Sequence, residues 1–298
     1  MSSSGNIADL RRLKAIWDLL KDAAAAWDED HAWRLGAALA YFTVFSLAPL
    51  LIIAVVFAGI VFGQQAAEGH LVTQLSGVVG TDEARFIEMM IRNVYTSGST
   101  LPATVIGIVT VLLGGTAVFA ELRDALNTVW HIRETPIGTV KAFLRARVSS
   151  LLMILGIGAL LLASLFLSVV MAAMSASIGG VIALLGGIVD FLISLCGFAV
   201  LFALIFKYLP NVILTWKDVI VGASFTSLLF SFGKLAIGLY LGRSAVSSPF
   251  GAAGSLAIVL LWAFYSSQIF LFGAEFTRLY AKRFGSGIRP GKNAVLLL

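Results

Sequence analysis

Charge is what this chain has least of. Only 12% of its 298 residues are Asp, Glu, Lys or Arg, about half the roughly 25% of an ordinary soluble domain. Cysteine occurs once, as Cys196 inside an apolar run, so no intramolecular disulfide can form. Histidine occurs three times, as His31, His70 and His131, in three separate connections that cannot jointly hold a metal. His-Glu-x-x-His, Cys-x-x-Cys, a P-loop lysine and a Gly-x-Ser-x-Gly elbow are all missing. The chain therefore reads as something other than an enzyme, with no cofactor expected. What remains is 59% hydrophobic. A soluble core of that composition would still need polar outer faces on its helices, and the apolar segments lack them.

Between Arg147 and Asp190 lie 42 consecutive residues without a charged side chain. A bilayer core about 30 Å thick needs about 20 apolar residues per helix, so this run suits two crossings. Met174-Ser175-Ala176-Ser177-Ile178-Gly179-Gly180 near its middle suits the reversal between them. Six spans can be drawn in all: Leu35–Gly63, Leu101–Phe119, Val148–Met174, Val181–Phe206, Val219–Gly242 and Ala252–Ala274. The expected fold class is an all-α membrane bundle with short interfacial helices. Residues 1–34 form an amphipathic cytoplasmic segment, 35–275 the membrane domain and 276–298 a basic cytoplasmic tail. No cleaved leader is expected, because the first apolar stretch begins at Leu35 and is too long for one.

Seventeen of the 21 Lys and Arg residues fall on one side of these spans. Three (Arg85, Arg92 and Arg243) fall on the other, and Lys234 lies inside a span. The positive-inside bias then places both termini in the cytoplasm. It also accounts for the basic surplus, so no nucleic-acid partner is expected.

Three extramembrane pieces carry helical patterns. Leu10, Leu13, Ile16, Trp17, Leu20, Ala24 and Trp27 recur at helical spacing opposite Arg11, Lys14, Asp18 and Lys21. Such a helix either lies on the anionic inner surface or packs on the protein's own cytoplasmic face. Thr81, with Asp82 and Glu83 after it, starts an outer helix lined by Phe86, Met90 and Val94. Leu122, Ala125, Leu126 and Val129 continue a stripe after the second span, as a short interfacial helix ending near Pro136. The acids Asp28, Glu29 and Asp30 read as a solvated helix end.

Ionisable side chains at membrane depth are costly and usually face the protein interior or a wet cavity. Lys234 lies about 12 Å from the outer end of the fifth span, and Asp190 about 13 Å from the outer start of the fourth, at 1.5 Å per residue. Opposite charges at one depth on consecutive antiparallel helices suggest an Asp190–Lys234 pair, serving either a polar path or helix register alone. Ser224, Ser227, Ser231, Lys234 and Gly238 share one helical face, which reads as a polar path or as a packing seam. In the sixth span Gln268 and Glu275 lie seven apart with Tyr265 on the same side. Glu275 is also readable as an interfacial anchor beside Arg278. Pro49 breaks the first span and frees the Phe45 carbonyl, with Thr43 and Ser46 near enough to compensate.

Ala38-Leu39-Ala40-Tyr41-Phe42-Thr43 with Ser46-Leu47-Ala48-Pro49 resembles the YihY/BrkB family of bacterial inner-membrane proteins. So do Tyr208-Leu209-Pro210-Asn211, Trp216-Lys217-Asp218, Gly233-Lys234, Leu239-Tyr240, Gly251-Ala252-Ala253-Gly254-Ser255 and the stretch from Gln268 to Thr277. Ala48 departs from the bulky residue that the family often has before the proline. The resemblance implies six spans with both termini inside. It also carries links to virulence, serum resistance and export of lipid-type molecules, and an old ribonuclease label. The short cytoplasmic segments lack clustered metal ligands and do not support that label. The leading expectation is a transporter or flippase-like protein for an amphipathic, lipid-linked substrate, in contact with membrane lipids. Its path candidates are Lys234, Asp190, Ser227, Ser231, Gln268, Glu275 and Tyr41. The rival is a scaffold that binds a partner membrane protein and uses its polar residues for packing alone.

Overall fold

In lipid every backbone N–H and C=O must be satisfied within the protein, so the apolar stretches form long helices. The computed structural model describes residues 3–46, 101–135, 156, 181–243, 251–291 and 294–297. Helix α1 spans Ser3–Glu29. Residues 32–46 continue as α2, followed by α3 (Leu101–Val129), α4 (Val181–Tyr208), α5 (Trp216–Arg243) and α6 (Gly251–Arg283). Among the described residues three helical stretches are long and apolar enough to cross a membrane: Phe191–Tyr208, Trp216–Ile237 and Leu256–Arg283.

Two helices outrun the spans expected of them. The helix of the second span continues unbroken to Val129, because neither Gly nor Pro occurs between Phe119 and that residue. The interfacial helix expected there is therefore the last turns of α3. The sixth span's helix likewise runs on to Arg283, through Glu275-Phe276-Thr277-Arg278-Leu279-Tyr280-Ala281-Lys282, until Gly285. Helices α1 and α3 both end on a histidine in the left-handed region, His31 at φ 51° and His131 at φ 53°. Histidine is enriched several-fold there among residues that carry a Cβ.

Four short strands gather at one end of the bundle. Strand β1 (Ile132–Glu134) pairs antiparallel with β4 (Ala294–Leu296), with Arg133 opposite Val295. Strand β2 (Val212–Ile213) pairs antiparallel with β3 (Arg289–Pro290). The chain thus returns to the same end after α1, after α3, between α4 and α5, and after α6. The C-terminal stretch is stitched onto both intervening connections.

Among the described residues the core joins α4, α5 and α6 with Leu39 of α2 and Leu126, Val129 and Trp130 at the end of α3. Phe198, Phe202 and Phe206 form a stacked row on α4 that meets Phe230 and Phe270. Antiparallel α5 and α6 approach through a reciprocal small-residue seam: a methyl at Gly222 would land on Thr277, and one at Gly273 on Thr226. Thr226 and Thr277 hide their hydroxyls by donating to Gly222 and Gly273 carbonyls of their own helices at 2.8 and 2.6 Å. Helix α1 lies across α6, burying Leu19 and Ala23 beside Phe276. Of the two readings of α1, packing on the protein itself holds for the Leu19, Ala23 and Ala26 face. The Pro49 break, the helix near Thr81, the Val148–Met174 span and the reversal near Ser175 lie outside the described residues, Gly156 excepted.

Candidate functional site

Among the described residues, the strand-knitted end gathers a cluster of charges. Asp30 sits in the turn between α1 and α2, His131 in the turn that closes α3, and Glu275 and Arg278 lie one turn apart on α6. Arg278 Nη2 is 2.8 Å from Glu275 Oε2 and 3.6 Å from Asp30 Oδ2. His131 Nε2 is 3.0 Å from both Asp30 oxygens, and Arg278 Nη1 is 3.1 Å from His131 Nδ1. Arg278 Nη1 also lies 2.8 Å from His131 Nε2, so the guanidinium faces both ring nitrogens and donates to the one that lacks the proton.

The Glu275 side chain is 0% exposed and that of Arg278 9%. Among the described residues neither Glu275 oxygen accepts a well-aligned hydrogen bond, and Arg278 Nε donates none. A buried carboxylate leaning on one guanidinium is a high-stakes arrangement, because removing either partner strands the other. Chemically it can hold charge and exchange a proton. Among the described residues nothing beside it resembles a nucleophile–base pair.

A cleft of about 460 Å³ opens next to this network, lined by Asp30, Asp124, Asn127, His131, Arg133 and Glu134 among others. Burial pushes the Asp124 carboxyl above the usual carboxylate range; Glu134 adds to the shift, and Arg123 opposes it. Burial likewise raises Glu121, with Asp124 adding to it. Despite these acids, no group of three or more metal-ligating side chains exists among the described residues.

Asn127 joins the two connections by donating to Glu134 at 3.0 Å and accepting from the Asn211 backbone N–H at 3.0 Å. The Asn211 carbonyl in turn accepts from Gly291 N–H at 2.9 Å. Asp218, in the first turn of α5, accepts from Thr215 Oγ1 at 2.7 Å and from Ser286 Oγ at 2.9 Å. Asn211 and Asp218 therefore act as fasteners for the C-terminal stretch.

Those of the expected path residues whose side chains are described lie at separate places on the bundle. Ser227 and Ser231 are buried, but their hydroxyls donate to the Ser224 and Ser227 carbonyls of the same helix, as a packing seam requires. Lys234 is exposed, which corrects the expectation that it faces the bundle interior. At its level the contact face of α5 is Gly233, against Tyr265 and Ile269, together with buried Ile237. Lys234, one residue on, points about 100° away. The side chain of Asp190 lies outside the described residues, and so does its expected pairing. Gln268 reaches across to α2, donating to the Trp33 carbonyl at 3.3 Å, while its own carbonyl oxygen finds no partner among the described residues. Tyr41 is 54% exposed and packs on Phe45. Glu275 does stand beside Arg278, yet buried in the network and not as an exposed anchor.

Asp30 corrects a further expectation, since it is engaged in the network and is no solvated helix end. His131 was equally hidden from the sequence. Only their potential to meet Arg278 could have exposed them, and that requires the fold.

The family model described as virulence factor BrkB matches residues 23–296. The chain is 31% identical over 257 residues to a UPF0761 membrane protein of Verminephrobacter eiseniae, covering 83% of this chain and 58% of that protein. It is 27% identical over 252 residues to one from Ralstonia nicotianae, covering 83% and 55%. A third, from Chromohalobacter salexigens, is 25% identical over 284 residues, covering 93% and 66%. The chain thus spans somewhat more than half the length of the first two relatives and about two thirds of the third. No solved structure matches it.

Proposed function

The chain belongs to the virulence factor BrkB family of membrane proteins, and from that premise we propose that it moves an amphipathic, lipid-linked anion across a bacterial inner membrane. The observation that carries this reading is Lys234. Its ammonium stands on the exposed wall of α5, between Phe232 at 65% and Leu235 at 58% exposure. A cation at that depth is costly when only acyl chains face it. An anionic headgroup arriving from the lipid side offsets the cost, and the exposed wall lets it arrive laterally. The six-span arrangement with both termini in the cytoplasm belongs to the same reading. It is supported by the return of the chain to one end four times, with room for an even number of crossings between returns.

The scaffold reading has one observation in its favour. The Ser227–Ser231 stripe and the Gly222/Thr277 and Gly273/Thr226 contacts form a satisfied packing seam, which a rigid partner-binding protein needs as much as a transporter does.

Purified protein reconstituted in liposomes with fluorescent anionic lipid separates the two. Wild type and Lys234→Arg are expected to translocate the probe. Lys234→Met is expected to slow it by about tenfold or more, since one charge-assisted hydrogen bond contributes about 1.5–3 kcal/mol. Absence of translocation by the folded wild type, across the envelope lipids tested, would favour the scaffold.

A further inference from the structure

Helix α1 has two apolar faces, and the bundle uses only one. Leu19 and Ala23 are buried against Phe276 of α6, and Ala26 on the same face is buried too. Ile16 and Trp17, on the next face round, are 51% and 58% exposed, and Leu20 is half-buried between the two. The depth of the helix decides what covers that open face. Phe276, the residue Leu19 and Ala23 pack on, stacks on Phe225 of α5 at 3.9 Å between ring centroids. Phe225 lies nine residues inside α5 from Trp216, about 13 Å along the axis.

Trp216 and Tyr208 mark the interface at this end. They are 45% and 60% exposed and packed edge to face, with the Lys207 ammonium 5.6 Å from the Trp216 ring centroid. Exposed aromatics beside a lysine are the usual belt at headgroup level. The packed turns of α1 therefore touch the bundle inward of that aromatic pair, along the apolar length of α5 and α6. The charges of α1 fit the same place. Asp22 is taken up by Arg283 at 3.3 Å, Asp18 is half-buried, and Lys14 and Lys21 stay exposed, so the two cations outnumber the one remaining carboxylate on this arc of the helix. The Lys21 ammonium lies 5.4 Å from the Trp17 ring centroid.

We propose that the open face of α1 is a binding surface for anionic phospholipid, lying in the plane of the leaflet. Ile16, Trp17 and Leu20 enter the acyl boundary, and Lys14 and Lys21 engage lipid phosphates. Basic side chains near an anionic surface each contribute about a fivefold gain in lipid partition. The surface stands whether or not the protein moves lipid, because the contacts are on α1 and not on the wall around Lys234.

The test uses the full chain in nanodiscs, with Cys196→Ser and a polarity-sensitive fluorophore on Ile16→Cys or, as control, on exposed Asp28→Cys. The label at position 16 is expected to be quenched by brominated phosphatidylglycerol several-fold more than by brominated phosphatidylcholine. The label at position 28 is expected to respond to aqueous iodide. Lys14→Gln with Lys21→Gln should abolish the preference for the anionic lipid while leaving the unfolding midpoint in place. Equal iodide quenching at positions 16 and 28 would overturn the proposal, as would lipid quenching indifferent to lipid charge and to both lysines. Shielding of position 16 in native vesicles combined with iodide access in nanodiscs would overturn it in favour of a protein partner.

Discussion

Arg278→Met is expected to be among the most damaging single changes in this protein, costing about 3–5 kcal/mol, because it strands the Glu275 carboxylate in the bundle. Glu275 is completely buried, and Arg278 is the cation 2.8 Å from it. The same substitution also takes a cation from Asp30 and a donor from His131. Arg278→Lys should recover only part of the loss, since an ammonium cannot span Glu275, Asp30 and His131 as a planar guanidinium does. Glu275→Gln added to Arg278→Met removes the stranded charge and should restore most of the stability. Thermal unfolding in detergent measures all four proteins. A double variant as damaged as Arg278→Met would contradict a buried ionic pair at this site.

Trp130→Ala should cost about as much, in the range of about 3–5 kcal/mol seen for large aromatic truncations in cores. Trp130 is fully buried where α3 ends and belongs to the central apolar cluster with Leu126, Val129, Leu271 and Ala274. It immediately precedes His131, so its loss should also loosen the turn that brings the imidazole to Asp30 and Arg278. Trp33, 51% exposed, is the matched control, and Trp33→Ala should stay within about 0.5 kcal/mol. Similar midpoint shifts for the two variants would mean that the α3 terminus is not packed as described.

The long helices were legible because lipid demands them. A run of about 20 apolar residues has few alternatives in a bilayer, and the drawn span Val219–Gly242 falls within Trp216–Arg243 as observed. Helix ends were less legible, since falling hydropathy ends a membrane span but not a helix. The stretch from Glu275 to Arg283 keeps helix-forming residues and turns only at Gly285. The strand pairs escaped notice because two- and three-residue strands have no period of their own. Their partners sit in distant connections, with no local pattern joining Arg133 to Val295. The charge network was hidden for a similar reason: Asp30 stands beside Asp28 and Glu29 in sequence, whereas its partner His131 is 101 residues away. Lys234 shows the limit of a helical wheel, which places it with Ser227 and Ser231. The contact face actually passes through Gly233 and Ile237, so the lysine is turned outward.

Everything proposed for this protein depends on which side of the membrane each connection occupies. Single cysteines at Gln65 and Gly287, in a Cys196→Ser background, measure that directly with a membrane-impermeant maleimide. Gly287 belongs to the stretch stitched to the turns that hold His131 and Asn211; a side chain added there meets nothing within 4 Å among the described residues, and its φ of 77° adds about 1–2 kcal/mol of local backbone strain that leaves the site accessible to label. Intact cells with a permeabilised outer membrane are expected to label Gln65→Cys and not Gly287→Cys, and inverted inner-membrane vesicles to give the reverse. Labelling of both positions from the same side would contradict it.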